Sequence, residues 1–102
     1  IQEEIYAHKN NLRYKIDLKN KLKKLQSTPE FKEIFDNFLF KTKLTECNKQ
    51  WVKSNTDNDE LSVRAIIRMQ LFFDEILKEG EDAKQELKQT LEYEDTHNNI
   101  DQ

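Results

Sequence analysis

One close gathering of chemically capable side chains in this sequence is Asp57, Asp59 and Glu60, in "TDNDEL". Three neighbouring carboxylates could hold a divalent cation. A calcium loop, however, also needs oxygen ligands spread over about 12 residues, a Gly at its sharp turn and a terminal bidentate Glu. The sole glycine of the chain is Gly80. The same acids fit a helix start better, with Asp57 and Glu60 spaced as a capping box ahead of an apolar run. His8, Cys47 and His97 are the soft ligands, one per segment, without CxxC or HxxxH spacing, so no metal site is predicted. No glycine-rich phosphate loop exists, and no carboxylate pair sits in an apolar setting that would raise a pKa. The sequence therefore predicts no catalytic residue, no cofactor and no enzymatic activity.

Lysine is the other functional residue type. "YKIDLKNKLKK" sets Lys15, Lys19, Lys21, Lys23 and Lys24 near Tyr14. A basic stripe with an aromatic beside it is what phosphate contacts require. Lys15, Lys19, Lys23 and Lys24 are the candidate nucleic-acid contacts. Against this, the lysines wrap around the helix and Glu3, Glu4 and Asp17 dilute them.

Three helical segments would position these groups. In "QSTPEF", Thr28 can cap a helix whose first position is Pro29, with Glu30 in the first turn. "NTDNDEL" supplies the second start. The predicted helices span 1–26, 29–54 and 58–93, followed by a polar tail at 96–102. Helix 1 carries Ile1, Ile5, Leu12 and Ile16 on one stripe, with Leu18, Leu22 and Leu25 beside it. In helix 2, about 100° per residue puts Phe31, Ile34, Phe35, Phe38 and Leu39 on one face. Phe40, Leu44, Cys47 and Trp51 then fall nearly opposite. Helix 3 carries Leu61, Ala65, Met69, Phe72, Phe73, Ile76, Gly80, Ala83, Leu87 and Leu91, and from Met69 its steps run as in a coiled-coil seam. Gly80 on that stripe is compatible with two readings: a helix that continues through it with another backbone passing close, since "EDAKQELKQTLEY" resumes the stripe, or a helix end near Glu79.

Bulk composition narrows the class. The 102 residues are 35% hydrophobic and 36% charged, with one Gly and one Pro, which argues against a turn-rich β fold. The net charge of −3 hides a gradient. Residues 1–27 are basic and residues 57–102 strongly acidic, so either the first segment lies against the last or each end meets a different external partner. A lone Cys47 forms no intrachain disulfide. No apolar run approaches the ~20 residues that span a membrane. The chain opens at Ile1 rather than Met, which predicts residues upstream. An intracellular setting, host cytoplasm or virion, is expected.

Two spacings resemble a known group: Leu22-x-x-Leu25-x-x-x-Pro29-x-Phe31, and Gly80-x-x-Ala83-x-x-x-Leu87 after "LFFDEIL". Over residues 22–90 the chain is similar to small all-helical proteins of tailed bacteriophages found near head and packaging genes. The resemblance implies a virion or assembly role and assigns no functional residue. The polar "SNTDND" connection departs from that pattern.

The expected architecture is all-α and one domain over 1–95: a three-helix antiparallel bundle, or a helical hairpin with a long C-terminal helix. The leading functional expectation is a non-enzymatic structural or interaction protein that packs helical faces against copies of itself or a larger viral assembly. Its expected partner-interface residues are Phe40, Leu44, Trp51, Met69, Phe73 and Ile76. Two alternatives stand beside it: a packaging or recombination accessory factor using the helix 1 lysines, and an acidic helical inhibitor of a host enzyme.

Overall fold

In a computed structural model, the chain is all-α. The structure describes residues 1–54 and 57–100, and side chains as far as 96. Among the described residues only Ile1, Ser27 and Thr28 lie outside a helix, and none forms a strand. Helix α1 is Gln2–Gln26. The middle helix comprises α2 (Pro29–Phe31), a π-helical segment (Lys32–Lys43) and α3 (Leu44–Ser54). Helix α4 is Asp57–Ile100, the longest.

The first junction forms as its residue types dictate. Thr28 is extended, with φ −77 and ψ 145, and its Oγ1 accepts a hydrogen bond from the Phe31 N–H at 3.2 Å. Pro29 occupies the first turn, where its missing N–H costs nothing. Thr28 Oγ1 also donates to the Leu25 carbonyl at 2.7 Å, so one hydroxyl closes one helix and opens the next. Of the second junction, expected at 55–57, residues 55 and 56 lie outside the described residues. Helix α4 passes through Gly80 without interruption and runs to Ile100, seven positions beyond the expected 93. Residues 96–100 of the expected polar tail are thus helical.

The residues group into two units, Ile1–Leu22 with Ile76–Gln102, and Lys23–Glu75. In the first, α1 runs antiparallel to the second half of α4: Lys9 pairs with Glu94, His8 with Glu86 and Lys19 with Glu81. The basic first segment thus meets the acidic last one. Leu12, Leu22 and Ala83 are the buried apolar residues. Gly80 permits the close approach: a Cβ placed there would strike the Cβ of Lys19 and stand 2.8 Å from its Cγ and Cδ. The glycine's helix-propensity cost of about 1 kcal/mol is accepted in exchange for that contact.

In the second unit the middle helix packs on the first half of α4. Phe31, Cys47 and Val63 are buried. Four phenylalanine rings form the centre. Phe31 stacks on Phe35 with centroids 4.6 Å apart, and Phe73 meets Phe31, Phe35 and Phe40 at 5.6, 5.5 and 6.1 Å. Such pairs add about 0.5–1.5 kcal/mol each beyond area burial.

Candidate interaction surface

The π winding decides which side chains of the middle helix face outward. The Leu44 N–H bonds to the carbonyl of Leu39, five residues back. Winding with i→i+5 bonds takes about 4.4 residues per turn, or about 82° per residue. Phe40 then returns to within about 20° of Phe31, while Phe38 swings about 145° away. The ring contacts agree: Phe40 lies 6.1 Å from Phe35, and Phe38 is 53% exposed.

This corrects the expected partition of the middle helix, where an α period paired Phe38 with the core and turned Phe40 outward. Phe31, Phe35, Leu39, Phe40, Leu44, Cys47 and Trp51 are all buried or half-buried. They form one inward ridge. Ile34, expected inward, is exposed.

Of the six expected interface residues, Phe40 and Phe73 are therefore core partners of one another. Leu44, Trp51 and Ile76 are half-buried, and Met69 is exposed. The inward seam of α4 in this unit is Val63, Ile66, Gln70 and Phe73. The expected stripe of Leu61, Ala65, Met69 and Phe72 is exposed instead. Arg68 lies over the Phe72 ring at 6.0 Å, covering part of it.

Two residues that sequence reasoning passed over, Ile67 and Leu71, stand exposed on α4 beside a groove. The groove holds about 330 Å³ and runs between α4 and the π segment, with Asp36, Phe40, Phe73 and Asp74 also in its walls. A shallower depression of about 220 Å³ adjoins it, lined by Arg64, Ile67, Arg68 and Leu71. A signal for this face was present: Glu60, Arg64, Ile67, Leu71 and Asp74 step by 4, 3, 4 and 3. Glu60 and Arg64 are joined at 2.7 Å.

The candidate nucleic-acid lysines do not form one stripe. Lys19 is 4% exposed, its stem packed on Gly80 and its Nζ donating to Glu81 Oε2 at 2.8 Å. Burial removes it from any surface a phosphate could reach. Lys15 is half-buried, and Lys23 and Lys24 are exposed. Lys21 is tied to Asp17 at 2.9 Å, and that hydrogen bond, with the carboxylate's charge, raises its pKa above the usual lysine value. In the first unit, a separate concavity of about 360 Å³ is lined by Ile5, His8, Tyr93 and the paired Lys9 and Glu94.

Among the described residues, no group of three or more His, Cys, Asp or Glu side chains could hold a metal ion. Asp57, Asp59 and Glu60 lie in the first turn of α4, where acids favour the helix dipole. Cys47 is buried and free. The side chain of His97 lies outside the described residues. No described helix is long and apolar enough to cross a membrane.

Comparison with protein-family models, curated proteins and solved structures finds no match to this chain.

Proposed function

We propose that the protein is a non-enzymatic interaction protein that works by laying helical apolar faces against itself or a larger assembly. The observation that carries this reading is the apolar surface left outside the core of the second unit. Ile34, Phe38, Leu61, Ile67, Leu71 and Phe72 are each between 41% and 63% exposed. Single exposed apolar side chains are ordinary, but several on neighbouring turns mark a surface for association. A tailed-bacteriophage particle, or its assembly, is the setting proposed, and that part rests on the resemblance of the junction and seam spacings alone.

Binding of a hydrophobic dye, read with light scattering across a concentration series, tests the reading. The expected result is dye fluorescence that falls as the mass of the species rises. A protein that stays monomeric and leaves the dye dark at every concentration has no such face, and the reading fails.

A further inference from the structure

We infer that the partner seated on α4 is a second copy of the chain, packed antiparallel along Glu60, Arg64, Ile67, Leu71 and Asp74 about a two-fold axis near position 69. The inference rests on the interaction reading above and names its partner and register.

The stripe is straight. At about 100° per residue these five positions fall within about 80° of one another, centred about 100° around the helix from the Val63–Phe73 seam. It is therefore available while the intramolecular core is filled. Steps of 4 and 3 are those of a coiled-coil face.

The stripe is also complementary to itself. In an antiparallel pair centred on position 69, Ile67 faces Leu71 of the copy and Arg64 faces Asp74 of the copy. The two-fold repeats both contacts. An isologous interface demands this property, since one patch must match its own image. A parallel pairing would set Arg64 on Arg64 and Asp74 on Asp74. The charges thus select one direction as well as one register. The pattern extends in sequence, where Glu60 would fall opposite Lys78.

Exposure fits the assignment. Ile67 and Leu71 are 41% and 51% exposed, and the Arg64 side chain is 75% exposed. Neither depression beside them is filled by the chain itself. A helix laid there would cover Ile67 and Leu71 and bring Asp36, on the groove wall, within reach of the copy's charged side chains.

The test uses the full chain as wild type, Arg64→Asp, Asp74→Arg, and both together, each followed by sedimentation equilibrium. Circular dichroism confirms that each variant is helical. The wild type is expected to dimerise. Each single reversal sets like charges opposite one another and weakens the dimer at least ~10-fold. The double variant restores opposite pairs and returns affinity to within ~3-fold of wild type. An equimolar mixture of the two single variants recovers as well, as a heterodimer. The inference is overturned by a wild type that remains monomeric, by single reversals that leave the dimer intact, or by a double variant that fails to recover. Dye binding separates these failures from failure of the broader reading. A dye-bright protein without the predicted charge-swap pattern keeps its interaction face and loses this partner and register.

Discussion

The two units bring helices together by opposite means. In the first, the contact is small and charged: Gly80 and Ala83 let α4 approach α1, and His8, Lys9 and Lys19 pair with Glu86, Glu94 and Glu81. In the second, it is large and aromatic, with Phe73 set among Phe31, Phe35 and Phe40. Small residues bring backbones close and leave little apolar area to bury, so polar pairs take a larger part. Aromatic residues bury more area and hold backbones apart. Both units leave apolar side chains exposed, Ile5, Tyr6, Tyr14 and Tyr93 in the first and Ile34, Phe38, Ile67, Leu71 and Phe72 in the second. A helix rich in large side chains cannot point all of them at one neighbour.

The largest expected effect breaks the aromatic side. Phe40→Ala is predicted to cost ~2–3 kcal/mol, below the range for a fully buried Phe because the ring is half-buried. Phe38→Ala should stay within ~0.5 kcal/mol, as exposed positions do. Chemical denaturation of the two variants checks this. An α-wound middle helix predicts the reverse order, so Phe38→Ala proving the more damaging would overturn the π assignment.

Next comes the small-residue side. Gly→Ala in a helix interior ordinarily gains ~1 kcal/mol. At Gly80 the sign should invert, with a net loss of ~1–2 kcal/mol, because the new methyl meets the Cβ of Lys19. That atom is fixed to its backbone and cannot swing aside. Lys19→Ala leaves it in place and does not relieve Gly80→Ala, whereas Lys19→Gly does. Thermal melts of the singles and doubles give the coupling directly. A stabilised Gly80→Ala variant would remove the close approach from the description.

The contrast between the units also separates what the residues announce from what they conceal. The all-α class, the Thr28–Pro29 start and the passage of α4 through Gly80 were legible. Each follows from a local rule: cap chemistry, proline at the first turn, one apolar stripe that resumes after the glycine. Gly80, Ala83 and Leu87 sit on the seam as their spacing predicts. In "IIRMQLFF", by contrast, apolar residues nearly surround the helix, so periodicity alone offered more than one stripe. Leu61, Ala65 and Met69 make as regular a stripe as Val63, Ile66 and Gln70, and only the latter faces the core. In the middle helix the error was in the period itself. No residue between 32 and 43 announces π winding, and the α period exchanges the places of Phe38 and Phe40. At the N-terminus the apolar stripe of α1 outruns its partner surface, and Ile1 and Ile5 are both exposed. The outward stripe of Ile67 and Leu71 was hidden for a related reason. Its apolar centre is two residues long, and its remaining positions are charges that read as ordinary surface.

Lys19 joins the first unit's two devices, close packing and ion pairing, in one side chain. Its stem packs on Gly80 and its ammonium meets Glu81. Lys19→Met keeps most of the packing and removes the charge, while Glu81, half-exposed, stays hydrated. A loss under ~1 kcal/mol is expected, against ~1–2 kcal/mol for Lys19→Ala, which empties the site as well. Equal losses in denaturation would mean that charge, not packing, holds the contact.

The smallest effect concerns Lys21 and Asp17, a pair one turn apart on the outside of α1. The hydrogen bond from Lys21 to Asp17 is the main cause of the raised lysine pKa, followed by the carboxylate's charge, with slight desolvation opposing both. Because the folded pKa is the higher, the pair's contribution is complete below the unfolded lysine value of about 10.4. It is lost as pH rises through the folded value. Asp17→Asn removes the charge and weakens the hydrogen bond, so Lys21 should titrate lower, toward an ordinary lysine, when its side-chain resonances are followed by NMR. Melting temperatures of wild type and variant should differ slightly near neutrality and converge at alkaline pH. The lysine side chain is 73% exposed, so added salt should shrink the same difference. A Phe40→Ala deficit should persist through both changes of condition, since no charge enters it. Losses that responded alike to salt would erase the distinction between a charged unit and an aromatic one.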